Sequence, residues 1–443
     1  MFVLSQPELD SVAVTAVIHR DDGSYYTVTT DSGCTVDRVA GTVTFDNPPP
    51  LSKLTDVDNV YITYEKSTGA DSSVLDRCTV MTAFGPGGRP DTLFLSGNPD
   101  YPGREWFSQP ENPAFFGRQN TDLAGSDNSP VTGYSTKGDK LFVHRTGNER
   151  NLNILVRSCS GGDSNFYSYP VENALQGPAA LPLDTFVNMA NDSLFLTDKG
   201  VYAITKSDAT QDHYTQLRSF YINNSLLANP ALHSRCAVEY NDFYVLAVGG
   251  DIYLLDTLQK SYEEDKAYSD YQYECYHWQI ESAVRLLFVQ DGRLCFITDT
   301  GRTGRFYTDY RSPEYFNDAG MPIRAVWQTG EFTAGVAHRN KGIYRLWVVC
   351  AAALRTGVRV QAQIKGIWTD LFSDMTTGRY FQWSSIQWSK FTWSTDKTPK
   401  LMKRTVRIRN VNKTAFRLEN NNLNEPFGIY ELGFEYLTGS YYR

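Results

Sequence analysis

The sequence predicts an all-β protein: a β-propeller of five blades, or six if the leader supplies one, with an N-terminal β leader and a C-terminal β-sandwich of jelly-roll type. Three observations predict it. The first is a hairpin signature. Ser193–Thr205 reads Ser-Leu-Phe-Leu-Thr-Asp-Lys-Gly-Val-Tyr-Ala-Ile-Thr, two β-prone runs flanking Asp198-Lys199-Gly200, where glycine supplies the positive φ of a tight reversal. The second is its recurrence. Phe243–Leu255 turns at Gly249-Gly250, Leu294–Tyr307 at Asp299-Thr300-Gly301, Leu141–Leu155 near Gly147, and Leu93–Phe107 between Gly97 and Gly103. One glycine from each turn gives positions 97, 147, 200, 250 and 301, spaced 50, 53, 50 and 51 apart. A steady period of about fifty with hairpins in phase marks a propeller or a related β-repeat. The third is composition: 14% of the 443 residues are aromatic, a load that suits rings packed on pleated faces.

Residues 1–75 form the leader. Val12–Ile18, Tyr25–Thr30 and Val60–Tyr64 read as strands. Gly41-Thr42-Val43-Thr44-Phe45 alternates as a half-buried strand does, before Pro48-Pro49-Pro50 removes ladder donors and stops it. Residues 76–320 are the repeat array. Each unit follows a plan of four short strands with the hairpin at its centre, and further strands read at Cys78–Phe84, Val131–Thr136, Thr185–Met189, Arg235–Tyr240 and Ala283–Val289. An open array leaves an unpaired edge, so a closing strand is expected. Gln216–Leu227 is expected to be a short helix, and Glu263–Tyr276 an acidic, tyrosine-rich insertion in the fourth unit. Residues 321–443 change character, holding six of the eight Trp. Strands read at Tyr344–Cys350, Gly357–Ile364, Thr405–Arg409, Ala415–Leu418 and Ile429–Tyr436 predict the sandwich or jelly roll. Trp383, Trp388 and Trp393 recur every five residues, which reads as strand edges and turns carrying a tryptophan ladder.

The formal net charge is −8, from 42 basic and 50 acidic residues. That balance argues against binding the outside of a duplex, which takes a basic footprint, and is compatible with a wall past which DNA slides. The seven Cys are odd in number and form no Cys-x-x-Cys pair, so reduced thiols in a protein made in a cytosol are expected. The N-terminus has neither a basic n-region nor a long apolar core, and no run approaches the ~18 apolar residues of a spanning helix. A soluble protein, not exported by the usual route, is expected. No His-Glu-x-x-His, Gly-x-Ser-x-Gly or phosphate-cradling loop occurs. Thr298-Asp299-Thr300-Gly301 and Thr197-Asp198-Lys199-Gly200 share the Asp-x-Gly core of a sialidase Asp-box but lack its Thr-Trp, so they read as turns. Neither an enzyme activity, a cofactor nor a metal is expected.

One segment carries more. Leu93-Phe94-Leu95-Ser96-Gly97-Asn98-Pro99 leads into Glu105-Trp106-Phe107-Ser108-Gln109-Pro110-Glu111-Asn112-Pro113-Ala114-Phe115-Phe116. This pattern resembles the tail proteins of tailed bacteriophages, in the nozzle or packaged-DNA-stabilising class of tail accessory proteins. Gly41–Glu65 looks like the segment that precedes it there, and Arg345-Leu346-Trp347 with the tryptophan repeats and Ile429–Gly439 looks like their C-terminal part. The resemblance implies a structural virion protein. It implies a ring of identical subunits, six in number, contacting neighbouring tail or adaptor proteins and enclosing a lumen through which DNA passes without sequence-specific binding. Such a ring would retain the packaged genome and take part in its ejection. Trp106, Phe107, Phe115, Phe116, Tyr268, Tyr271 and Tyr273 are then candidate interface aromatics, with core packing as their alternative. Two other readings remain: a receptor- or glycan-binding module at the tail tip, with tryptophans as sugar platforms, and a glycan hydrolase needing paired carboxylates in a cleft.

Overall fold

The computed structural model describes residues 1–4, 6–7, 9–30, 32–51, 58–66, 70–126, 128–147, 152–163, 166–181, 184–190, 192–206, 212–262, 270–309, 312–351, 357–376 and 399–441. Two compact units emerge, Met1–Val289 with Phe296–Thr303, and Gln290–Cys295 with Gly304–Arg443.

In the leader, β1 (Phe2–Val3), β4 (Cys34–Asp37) and β5 (Thr42–Phe45) form one sheet in the order β1-β5-β4. The other sheet, β3-β2-β6, contains β2 (Thr15–His19), β3 (Tyr25–Thr29) and β6 (Val60–Thr63). Their inward residues Val14, Ala16, Ile18, Val43 and Phe45 share one small core. The leader therefore supplies no blade. Helix α1 (Ser72–Leu75), capped by the Asp71 carboxylate accepting from the Ser73 amide, leads into the array.

Five antiparallel sheets follow. The first pairs β7 (Val80–Phe84), β8 (Thr92–Ser96), β9 (Arg104–Phe107) and β10 (Thr121–Leu123) in chain order. The second pairs β11 (Val131–Lys137), β12 (Lys140–Arg145), β13 (Ile154–Ser158) and β16 (Val171–Leu175), with the hairpin β14 (Ser160–Asp163) and β15 (Phe166–Ser168) inserted before its last strand. The third contains β17 (Val187–Asn188), β18 (Ser193–Thr197), β19 (Gly200–Lys206) and β20 (His213–Leu217). The fourth contains β21 (Arg235–Tyr240), β22 (Phe243–Val248), β23 (Asp251–Tyr262) and β24 (Tyr271–Gln279). The fifth has three strands, β25 (Val284–Gln290), β26 (Arg293–Thr298) and β27 (Thr303–Arg305). These are the blades of the propeller, and in each the periodic glycine sits between the second and third strands or opens the third. Gly200, at φ +122°, closes the β18–β19 turn, in the left-handed region that glycine enters freely.

The core lies between blades. Val80, Phe84 and Phe94 of the first blade meet Tyr134, Leu141 and Val143 of the second. Phe142, Ile154 and Val156, on the other face of the second blade, meet Phe195 and Ile204 of the third. Leu194, Leu196 and Val201 meet Tyr244, Leu246 and Tyr253 of the fourth. Both faces of a blade are thus covered, which is why Ser-Leu-Phe-Leu-Thr at Ser193–Thr197 is buried throughout.

Two sequence expectations are corrected. The short helix expected at Gln216–Leu227 starts later: β20 runs to Leu217, a 3-10 turn spans Phe220–Ile222, and α2 (Asn223–Leu227) follows for one turn. The strand wins because Tyr202–Lys206 offers it a ladder. The end of the tyrosine-rich insertion is a blade strand, β24, laddered to β23.

In the second unit, β28 (Asn317–Asp318) and β29 (Met321–Pro322) make a two-stranded hairpin. The sandwich has β30 (Ala325–Gln328), β32 (Gly357–Ile364), β33 (Ile367–Thr376) and β35 (Phe416–Asn420) in one sheet, ordered β30-β35-β32-β33. The other sheet contains β31 (Arg339–Cys350), β34 (Lys400–Val411) and β36 (Ile429–Tyr441), ordered β34-β31-β36. Ile343, Leu346, Val348 and Ile408 of this sheet pack on Val358, Val360, Phe416 and Leu418 of the other. Strand pairs β32–β33, β31–β34 and β30–β35 nest outward around one hairpin, the wrapping of a jelly roll. The unit takes in residues ahead of the boundary expected at residue 321, among them Asn317, whose side chain donates to Asn424 (2.6 Å).

Candidate functional site: the seams between blades

The polar groups that the propeller buries are concentrated where blades meet. In the first seam Arg157, on β13, reaches across to β9 and β10. Its Nη2 lies 2.6 Å from Glu105 Oε2 and its Nη1 donates to Asp122 Oδ2 (2.8 Å) and to the Tyr169 carbonyl. The Tyr134 hydroxyl donates to Glu105 Oε1 (3.0 Å). Arg157 and Glu105 are each 1% exposed, so neither charge is tolerable without the other. Burial pushes the Glu105 carboxyl up; Arg157 and Tyr134 oppose this, while Asp122, drawing on the same guanidinium, adds to it.

In the second seam the ring of His144 sits between Phe186 and Phe195, at centroid distances of 4.8 and 4.4 Å. Its Nε2 bonds Ser135 Oγ at 2.8 Å. Burial alone pushes its pKa down to about 3, so the imidazole is neutral. This Ser–His pair is sealed from solvent and, among the described residues, has no acidic third partner, so it packs and orients. Gly133 lies beneath Phe186, where any Cβ would collide with the ring. Asn188 and Thr136 exchange two hydrogen bonds, and Ser193 Oγ donates to the Thr136 carbonyl (2.7 Å).

The third seam gathers three blades. Asp192, fully buried, accepts from Arg218 Nε (2.8 Å), the Tyr273 hydroxyl (2.7 Å) and the Tyr271 hydroxyl (3.1 Å), and Lys137 Nζ from the second blade stands 3.7 Å from its other oxygen. The Arg218 guanidinium lies 3.6 Å from the Tyr271 ring centroid and donates to the Tyr271 carbonyl. Burial opposes ionisation of Asp192, but Arg218, Tyr273 and Lys137 together hold its pKa below the ordinary value. Tyr273 is pushed far up, chiefly by burial.

The aromatics singled out in the sequence are placed as follows. Trp106 is buried beside Tyr101, and Phe107 packs on Phe94 and Tyr169, all within the first seam or its blade. Phe116 is buried and its carbonyl accepts from the Ala70 amide; Phe115 is half-buried in the same turn. Tyr271 and Tyr273 belong to the third seam, and Tyr268 lies outside the described residues. Four of the seven are therefore core side chains in this chain. The motif Leu93–Phe116 is turn and strand chemistry: Ser96 Oγ donates to the Arg104 carbonyl, Asn98 Nδ2 to the Val74 carbonyl, and Ser108 Oγ accepts from the Leu93 amide. The sequence reading missed Glu105, Arg157, Asp192 and Arg218. One signal was available: Arg157 interrupts Ile154-Leu155-Val156, a run otherwise apolar on both faces.

Of the candidate sugar platforms, Trp383, Trp388 and Trp393 lie outside the described residues. Trp347 donates through Nε1 to Glu431 and has Lys403 near its ring, while Arg417 lies 4.1 Å from the Trp368 ring centroid. All seven cysteines are free thiols. Among the described residues no group of three His, Cys, Asp or Glu is arranged to hold a metal ion.

No protein-family model matches the chain, and no curated protein does. Among solved structures it is similar to BamB from Moraxella catarrhalis, at 13% identity over 65% of this chain and 78% of that one, TM-score 0.31. Human WBSCR16 matches at 11% identity over 66% and 73%, TM-score 0.29. An exo-β-1,3-galactanase from Phanerochaete chrysosporium matches at 10% over 80% and 96%, TM-score 0.22. Likenesses this distant transfer no function.

Proposed function

We propose that this chain is a structural, non-catalytic component of a bacteriophage tail: a nozzle or tail accessory subunit that forms a ring, borders the DNA conduit, and helps retain and release the packaged genome. One observation carries the reading. The buried charges of the first four blades tie blade to blade, through Arg157–Glu105, Lys137–Asp192 and the hydrogen bonds of Arg218 and Asp192 to Tyr271 and Tyr273, so the propeller is built to resist shear between its sheets. Short turns and two-sided burial add to that stiffness, which suits a wall under internal pressure. The tail-like segment Leu93–Phe116 contributes to this framework, not to a cleft. Light scattering of the purified protein, alone and with its neighbouring tail proteins, tests the reading. A defined ring formed with those partners is expected; a monomer that ignores them and binds host-cell glycans would overturn it in favour of a receptor module.

A further inference from the structure

The net charge of −8 averages two unlike regions. Residues 321–443 contain 18 Lys and Arg against 8 Asp and Glu, whereas residues 1–320 contain 24 against 42. The whole-chain balance that speaks against duplex binding therefore does not describe the second unit. Part of its excess gathers on the outer face of the sheet β34-β31-β36. Met402, Val406 and Ile408 of β34 point into the core, so Lys403, Thr405, Arg407 and Arg409 point out, and all four are exposed. Beside them on β31, Trp347 pairs with Lys403 and Arg345 with Thr405. The acids beside this row are already engaged. Glu435 is shared by Arg345 (3.1 Å) and Lys403 (3.3 Å), and Glu431 accepts from Trp347 Nε1 (2.8 Å). Among the described residues Arg407 and Arg409 have no carboxylate partner, and the exposed Arg404 donates only to the Lys403 carbonyl.

From this we infer that the outer face binds the phosphodiester backbone of a DNA duplex, with Lys403, Thr405, Arg407 and Arg409 facing phosphates of one strand. Alternate residues of a β-strand stand about 7 Å apart, close to the spacing of successive phosphates, so the row matches a regularly repeating anion. The arginine fork meets two phosphate oxygens at once. An acidic protein surface is the other chemistry that such a row could meet. A protein interface closes around an apolar core, however, and the outward row from Lys403 to Arg409 contains no apolar side chain. Contacts confined to phosphates read no sequence, so the binding is independent of it. The inference rests on the tail reading only for the supply of DNA, and the two fail separately. A ring that ignores the duplex overturns this inference alone, and a chain that binds the duplex without forming the ring overturns that reading alone.

The test is fluorescence anisotropy of a labelled duplex of about 20 base pairs, titrated with the full chain at about 50 mM salt and above. Saturable binding is expected, alike for two unrelated sequences, with log affinity falling against log salt at a slope of about −3. Arg407→Gln/Arg409→Gln is expected to weaken binding about tenfold or more and to reduce the slope by about 2. Its urea midpoint should not move, because both side chains are exposed. Lys140→Gln, on the second blade, is expected to leave affinity and slope unchanged. No binding by the parent chain, or a double variant that binds as well as the parent, would overturn the inference. So would displacement of the duplex by polyglutamate as readily as by unlabelled duplex, since that result assigns the row to an acidic protein.

Discussion

Glu105 and Asp192 are both buried carboxylates gripped by a buried arginine, yet burial prevails at the first and the donors prevail at the second. The difference is one of supply. Asp192 receives an arginine Nε, two tyrosine hydroxyls and a nearby lysine, all directed at one carboxylate. Glu105 receives one arginine nitrogen and one tyrosine hydroxyl, and its arginine is shared with Asp122. Low dielectric strengthens an ion pair and raises the cost of incomplete solvation by the same token. The third seam thus concentrates three donors on Asp192 Oδ2 with a lysine near Oδ1, whereas the first divides one arginine between two carboxylates.

Removing the cation breaks this comparison most sharply. Arg218→Met leaves Asp192 buried with hydroxyls and a more distant lysine, and is expected to cost about 3–5 kcal/mol in urea unfolding. A matched Asp192→Leu/Arg218→Met pair should recover part of that loss, because the buried ion pair goes as a unit, although Lys137 and the two tyrosine hydroxyls lose their acceptor. If the single and double variants unfold alike, the seam is held by packing alone.

The second test concerns Glu105 and pH. Its folded pKa lies above the ordinary 4.5, so the native state keeps the proton longer than the unfolded chain does. Its contribution to stability is therefore full below about 4.5 and declines as pH rises through the folded value. Asp192 behaves oppositely, contributing fully above its ordinary 3.8 and losing that contribution as pH falls through its lower folded value. Arg157→Met should cost about 1–3 kcal/mol near neutrality, less than Arg218→Met, and the loss should shrink on acidification as Glu105 takes up a proton. Urea midpoints measured from pH 4 to 8 check this; a pH-independent loss would remove the distinction between the two seams.

The second seam is neutral, and steric fit replaces charge there. Gly133→Ala drives a methyl into the Phe186 ring and is expected to cost about 1–3 kcal/mol. Phe186→Leu in the same chain should relieve part of that cost. Non-additivity of the two substitutions, read by a double-mutant cycle, is the decisive quantity.

What was legible in the sequence follows the range of the interactions. The hairpins at Ser193–Thr205 and Phe243–Leu255 rest on glycine turns and β-branched runs a few residues apart, and they form where the pattern put them. Leu93–Phe107 is equally local, and its strands pair as expected. The seams are not local. Arg157 and Glu105 are 52 residues apart, and Tyr273 and Asp192 are 81 apart, so no window of sequence shows that these charges meet. The same limit set the start of the Gln216–Leu227 helix too early: Phe220–Leu227 is helical, but the ladder to Tyr202–Lys206, a tertiary offer that propensity does not include, claims Gln216 and Leu217. Tyr271 and Tyr273 looked like surface anchors for the same reason, since only their ladder to β23 and their reach to Asp192 bury them.

Solvent provides the last contrast. Lys140 and Glu172, on the second blade, stand 2.7 Å apart, a distance as short as those in the seams, but water reaches both. Their hydrogen bond raises the Lys140 pKa and lowers that of Glu172, so each favours the charged form, as at Asp192. High dielectric and salt screening nevertheless reduce the pair to about 0.5 kcal/mol or less. Lys140→Met should therefore shift the urea midpoint barely above error, and raising the salt should abolish the shift. A loss from Lys140→Met as large as that from Arg157→Met would mean that distance, not burial, sets the worth of a pair in this propeller.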